Sequence, residues 1–194
     1  SVWVLLKGNK SAESCQRHGV DIWAYCFMPN HIHLIAVPRS QESLALAIGD
    51  AHQRYTRRIN FREGWRGHLW QGRFASYPMD EAHLLAAARY VELNPVKASI
   101  VEHPGEYPWS SAAAHLKGSD DKLVRVLPLL AMIPNWENFL TEPLSEEEEK
   151  TMQRREQAGR PAGSKDFLNK VERMLGRILT RGKPGPKPKA KALN

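Results

Sequence analysis

Residues 20–28 read VDIWAYCFM, an almost uninterrupted apolar and aromatic run that predicts a strand covered on both faces. Pro29-Asn30 is a turn signal, and HIHLIAV over 31–37 predicts a second strand ended by Pro38. Together they predict a hairpin with a very short loop. Residues 1–19 open with Trp3, Val4, Leu5 and Leu6 and then turn polar, the pattern of an amphipathic helix. Residues 41–62 read as a helix with Leu44, Leu46, Ile48, Tyr55 and Ile59 as its apolar positions. Glycines at 64, 67 and 72 break up the next stretch, and Arg73 to Tyr77 is a candidate short strand. Asp80 is a good helix cap for EAHLLAAARYVEL, which Pro95 is expected to end near Asn94.

Beyond that helix, PGEYPWSS over 104–111 reads as an ordered turn carrying two aromatics, and 117–140 as helical. Residues 142–149 hold five glutamates and read as a solvated hinge before a last helix at 165–180. No internal repeat is visible. The element order predicts an α+β fold: an antiparallel sheet with helices on one face, in a ferredoxin-like pattern. We divide the chain into a domain over 1–116, a helical extension over 117–180 with the acidic hinge, and a basic tail over 181–194.

Charge sharpens the picture. The 194 residues carry 28 Lys+Arg against 21 Asp+Glu, a net +7 with a sequence pI near 9.5, which calls for a polyanionic partner, nucleic acid first. No apolar run approaches the roughly 18 residues needed to span a bilayer. No secretory signal pattern opens the chain, and the two cysteines fit no metal or redox spacing, so a reduced cytoplasmic compartment is expected. The base is concentrated. Residues 51–73 hold Arg54, Arg57, Arg58, Arg62, Arg66 and Arg73 against Glu63 alone, a net +5 over 23 residues. Tyr55, Phe61, Trp65 and Trp70 are interleaved with them. Arginine grips phosphate bidentately and aromatic rings stack on bases, so this stretch is a candidate nucleic-acid surface.

The candidate chemistry flanks that surface. His31 and His33 lie two apart on a strand, so both imidazoles share a face. They read either as a divalent-metal clamp or as two polar groups on a wet strand face. Tyr90 and Asn94, four apart on a helix, also share a face. They read either as a nucleophile with a hard oxygen ligand or as ordinary amphipathic positions. Ser110-Ser111 with His115 makes no credible hydrolase site, and neither a GxSxG elbow nor a P-loop is present.

Taken together, YCFMPNHIHLIAVP resembles the HUH motif of single-tyrosine transposases. LWQGRF and RYVELNPVKASIVEHPGEYPWSS resemble the REP-associated tyrosine transposases, a branch of the insertion-sequence transposases. GRPAGSKDF and GKPGPKPK resemble the basic tail of that branch. The resemblance is strong over about 20–115 and looser over 155–190. It implies an HUH endonuclease fold whose first strand precedes the first helix. This chain opens inside that helix, so the sheet is expected to lack the first strand. It further implies that Tyr90 is the nucleophile and that His31, His33 and Asn94 hold Mg2+ or Mn2+. The reaction implied is cleavage and rejoining of single-stranded DNA beside a hairpin through a 5′-phosphotyrosine.

For DNA contact we count Arg54, Tyr55, Arg57, Arg58, Arg62, Arg66, Trp70, Gln71, Arg73 and, in the tail, Lys183, Lys187 and Lys189. Three prolines, Pro184, Pro186 and Pro188, keep that acid-free tail extended, and it is expected to be disordered without DNA. The expected state is a monomer or homodimer, nucleoid-associated when bound, with no membrane or small-molecule partner. The competing readings are a DNA-binding protein of the same descent that no longer cleaves, and an RNA-binding module, which would leave the histidine pair with Tyr90 and Asn94 unexplained.

Overall fold

The apolar run at 20–28 and the shorter one after Asn30 form the antiparallel hairpin the pattern predicts. In the computed structural model, which describes residues 9–72, 74–142, 144–158 and 161–179, the strands are β1 (Val20–Phe27) and β2 (Ile32–Pro38). They pair with Cys26 opposite His33 and Phe27 opposite Ile32. A bulge between Ile22 and Ala24 leaves Trp23 as the extra residue. The bulge switches which parity faces which side. Val20 and Ile22 before it, and Tyr25 and Phe27 after it, all join one apolar cluster with Ile32, Leu34 and Ala36. Ala24, Cys26, Met28 and Ile35 join the other.

Both faces are therefore covered. Helix α1 (Asn9–Arg17) and helix α2 (Ser43–Glu63) bring Cys15 and Ala47 to the first cluster. Helix α3 (Glu81–Lys97) brings Ala87, Ala88, Tyr90 and Val91 to the second. The fold is α+β, with helices on both sides of the hairpin where the sequence pattern put them on one. The reason is the bulged, wholly apolar β1, which has no wet face to leave open.

The outer edge of β1 is occupied by later segments. Phe27 N–H donates to the Trp109 carbonyl at 2.8 Å, Ser111 N–H to the Tyr25 carbonyl at 2.9 Å, and Arg125 N–H to the Ile22 carbonyl at 2.8 Å. Residues 74–77, expected as a strand, form none. Chain already hydrogen-bonded to β1 takes the positions a further strand would need. Instead Met79 bridges to Ala162, and the Ser164 N–H donates to Asp80 Oδ2 at 2.7 Å. Gly163 permits this approach, since a Cβ there would collide with Phe167.

Helix α3 runs a full turn past Asn94 despite Pro95, ending at Lys97 with the Ala98 N–H on the Asn94 carbonyl. The proline forgoes only its own bond within the last turn. The 117–140 stretch holds two short helices, α5 (Leu127–Met132) and α6 (Trp136–Thr141), after α4 (Ala112–Lys117). Val124, Leu129, Trp136, Phe139 and Met152 are buried in the two clusters of the hairpin, so the extension shares its core with the first 116 residues. The acidic stretch read as a hinge begins helix α7 (Glu146–Ala158), whose first turn holds Glu146 to Glu149. Carboxylates there complement the positive helix end. Helix α8 (Lys165–Leu175) is capped by Ser164. Among the described residues no helix is long and apolar enough to cross a membrane.

Candidate active site and nucleic-acid surface

Strand alternation sends His33 and Ile35 of β2 toward α3, while Ile32 and Leu34 face the other way. His31, just before the strand, turns to the same side as His33, their ring centroids 4.6 Å apart and nearly perpendicular. The His31 Nδ1 lies 2.6 Å from Asn30 Oδ1. A carboxamide oxygen accepts only, so this nitrogen donates to it. Across the gap, Tyr90 stands edge-on to His33 at 5.6 Å. One helical turn on, Asn94 Nδ2 donates to His33 Nε2 at 3.3 Å, so that lone pair is aimed at the Asn94 amide. Tyr90 is buried to 8% exposure, His33 is half-buried and His31 exposed, which makes a shallow site open along one side.

Sequence reasoning passed over Lys97. Its ammonium lies 4.9 Å from the centre of the Tyr90 ring and 2.6 Å from Glu149 Oε1. Seven residues from Tyr90 is two helical turns, a spacing that carried the signal. Cys26, paired with His33 across the hairpin, is fully buried; burial pushes its thiol up to about 12, so it stays protonated. Among the described residues no three His, Cys, Asp or Glu side chains cluster to hold a metal. The convergent set is two imidazoles and an amide, donors that suit a divalent cation taking nitrogen and oxygen ligands.

The basic stretch divides. Arg57, Arg58 and Arg66 are exposed, as is Gln71. Arg54 is engaged: its Nε bonds Asp50 Oδ1 at 3.0 Å and its Nη1 lies 3.3 Å from Glu13. Arg62 pairs with its neighbour Glu63 at 2.5 Å. Tyr55, chosen for base contact, is buried to 7% exposure against Ile59 and Trp70. Trp70 is half-buried and stacked on His52, centroids 3.8 Å apart and 9° from parallel. Burial holds the His52 imidazole below its ordinary value. These two aromatics are packing groups because they fall on the inner side of α2 and its following loop. The exposed ones are Phe61, at 93%, and Trp65, at 57%. A helical count from the buried Tyr55 and Ile59 puts Phe61 on the outer side of α2, whereas Trp65 and Trp70 lie in the loop beyond the helix. Arg73, Lys183, Lys187 and Lys189 lie outside the described residues.

Residues 8–94 match the family described as "Transposase IS200 like". The chain is also 27% identical over 110 residues to a Haemophilus influenzae protein described as a "Putative REP-associated tyrosine transposase". That match takes in 51% of this chain and 62% of the relative, so the chain spans under two thirds of the relative's length. No solved structure matches it.

Proposed function

We propose that this chain cleaves and rejoins single-stranded DNA beside a hairpin, with Tyr90 as nucleophile and His31, His33 and Asn94 as holders of Mg2+ or Mn2+. The observation that carries this reading is the approach of β2 and α3 that brings the Asn94 amide, 61 residues from His33 in sequence, and the Tyr90 ring to the same imidazole. A divalent ion on those donors would polarise the scissile phosphate and stabilise charge developing on it. The residues of the chain do the rest. A free phenol has a pKa of about 10 and is a weak nucleophile at neutral pH, so position matters. The Tyr90 ring is buried, edge-on to His33 and beside the Lys97 ammonium. As the bond from Tyr90 Oη to phosphorus forms, the bond from phosphorus to the 3′ oxygen breaks. The phenolic proton ends on that oxygen. The products are a 5′-phosphotyrosine and a 3′-OH, and one phosphodiester replaces another, so rejoining needs no ATP. The Lys97 ammonium, beside the Tyr90 ring and paired with Glu149, would have to leave that carboxylate to meet an incoming phosphate.

The surface that delivers DNA runs along the outer side of α2 and the loop after it. Arg57, Arg58 and Arg66 would neutralise phosphates, and Phe61 and Trp65 would stack on unpaired bases, which offer a π-face that a paired duplex hides. The test is incubation with a hairpin oligonucleotide carrying a single-stranded flank, with Mn2+. A protein–DNA adduct that resists SDS is expected. Tight binding without any adduct over a panel of such hairpins would instead identify a DNA-binding relative that has lost cleavage.

A further inference from the structure

Glu92 lies between the two α3 residues of the candidate site and is fully buried, at 0% exposure. Buried carboxylates are rare because desolvation disfavours the charge unless donors replace the water. Three donors do so. Ser111 Oγ donates to Oε1 at 2.5 Å, His115 Nδ1 lies 2.7 Å from the same oxygen, and Trp136 Nε1 donates to Oε2 at 2.8 Å. His115 stacks on Trp136, centroids 4.4 Å apart, which closes the cluster. Ser111 also accepts from the Tyr25 N–H at 2.9 Å, while its own N–H donates to the Tyr25 carbonyl. Tyr25 adjoins Cys26, the cross-strand partner of His33.

A continuous hydrogen-bonded path therefore runs from α3 through Glu92 and Ser111 to the strand pair that carries the histidines. At about 100° per residue, Glu92 sits about 200° round the helix from both Tyr90 and Asn94. It holds the back of α3 while they work at the front. A roll of about 15° would carry the tip of either side chain by roughly 1–2 Å, and a misplacement of ~1 Å can cost on the order of 100-fold in rate. We propose that Glu92, clamped by Ser111, His115 and Trp136, is a positioning residue that sets the rotation and height of α3 so that Tyr90 and Asn94 meet His33. This rests on the function proposed above and gives the YPWSS segment a role, since it supplies the Ser111 end of the clamp.

The variants Ser111→Ala and Trp136→Phe each remove one donor, and Ser111→Thr keeps the hydroxyl. Three quantities are read well below the melting temperature: the maximal rate of adduct formation, the oligonucleotide concentration at half that rate, and Mn2+ affinity by electron paramagnetic resonance. The expected result is a maximal rate lowered at least tenfold and weakened Mn2+ binding in Ser111→Ala and Trp136→Phe. The half-saturating oligonucleotide should be unchanged, because the arginine surface is untouched, and Ser111→Thr should recover most of the rate. Variants that melt earlier yet keep the wild-type rate and Mn2+ affinity would overturn the positioning role while leaving the catalytic reading in place. A wild type that neither binds Mn2+ nor forms an adduct would remove the catalytic reading and this inference with it.

Discussion

Asn94 and His33 are 61 residues apart in sequence and 3.3 Å apart in space, with the amide of one facing Nε2 of the other. Neither residue alone suggests more than a polar side chain on an amphipathic element. Their meeting, beside Tyr90 and His31, gives the site its chemical definition.

If these groups hold a divalent ion, removing either imidazole abolishes cleavage, and Asn94→Ala weakens it. Asn30→Ala should also be felt, since Asn30 fixes the protonated nitrogen of His31; losing such an orienting partner costs on the order of tenfold in metal affinity. Calorimetric titration with Mn2+ measures all four. Equal affinity in His33→Ala and wild type would place the ion elsewhere.

Tyr90→Phe removes one hydroxyl and leaves the ring against His33. Adduct formation should vanish while hairpin affinity, by fluorescence anisotropy, stays within about twofold of wild type, because surface arginines supply the attraction. An adduct that persists in this variant assigns the nucleophile to another residue.

Phe61→Ala and Trp65→Ala should each weaken single-strand binding by about 1–3 kcal/mol if a base stacks on the ring, with little change in melting temperature since both rings are exposed. Tyr55→Ala should behave in the opposite way, lowering the melting temperature through the lost packing. Anisotropy and thermal melts on the three variants decide it.

The Asp50 carboxyl is held below the usual carboxylate range, chiefly by the hydrogen bond from Ser14, at 2.7 Å, and then by Arg54 and Arg17, against a smaller opposing effect of desolvation. A depressed folded-state value means that its contribution is complete above the ordinary carboxylate pKa. The contribution drains away as pH falls through the lower folded-state value. The melting-temperature difference between wild type and Asp50→Asn should therefore be largest near neutrality and shrink below about pH 4. A difference independent of pH would show that the Asp50 charge contributes nothing.

Deleting residues 181–194 should flatten the plot of log affinity against log salt by roughly two to three, at about 0.7 per neutralised phosphate on single strands. Discrimination among hairpin sequences should be preserved, because phosphate contacts carry little sequence information. An unchanged slope would leave the Arg57–Arg66 surface to supply the attraction alone.

The hairpin was legible because its determinants are local: an apolar run, Pro29-Asn30, and a second run ended by Pro38. Helices α2 and α3 were legible for the same reason, while His31, which lies just before β2, comes beside His33 through the turn that precedes the strand. The family resemblance also resides in contiguous motifs. Tertiary structure decided what depends on segments far apart in sequence. The two apolar faces of β1 were in the sequence, but the bulge at Trp23 decided which side chains face which cluster. Closure of β1's edge by residues 109–111 and 124–125 left 74–77 without a partner strand. Tyr55 was legible as an inward position from the periodicity of α2, whereas only the folded loop after that helix packed Trp70 against it and left Trp65 exposed. Glu92 shows the limit most clearly. In the sequence it is one more charged residue in a helix, and only the folded chain brings Ser111, His115 and Trp136 to its two oxygens, because a buried carboxylate is tolerable only where distant segments supply its donors.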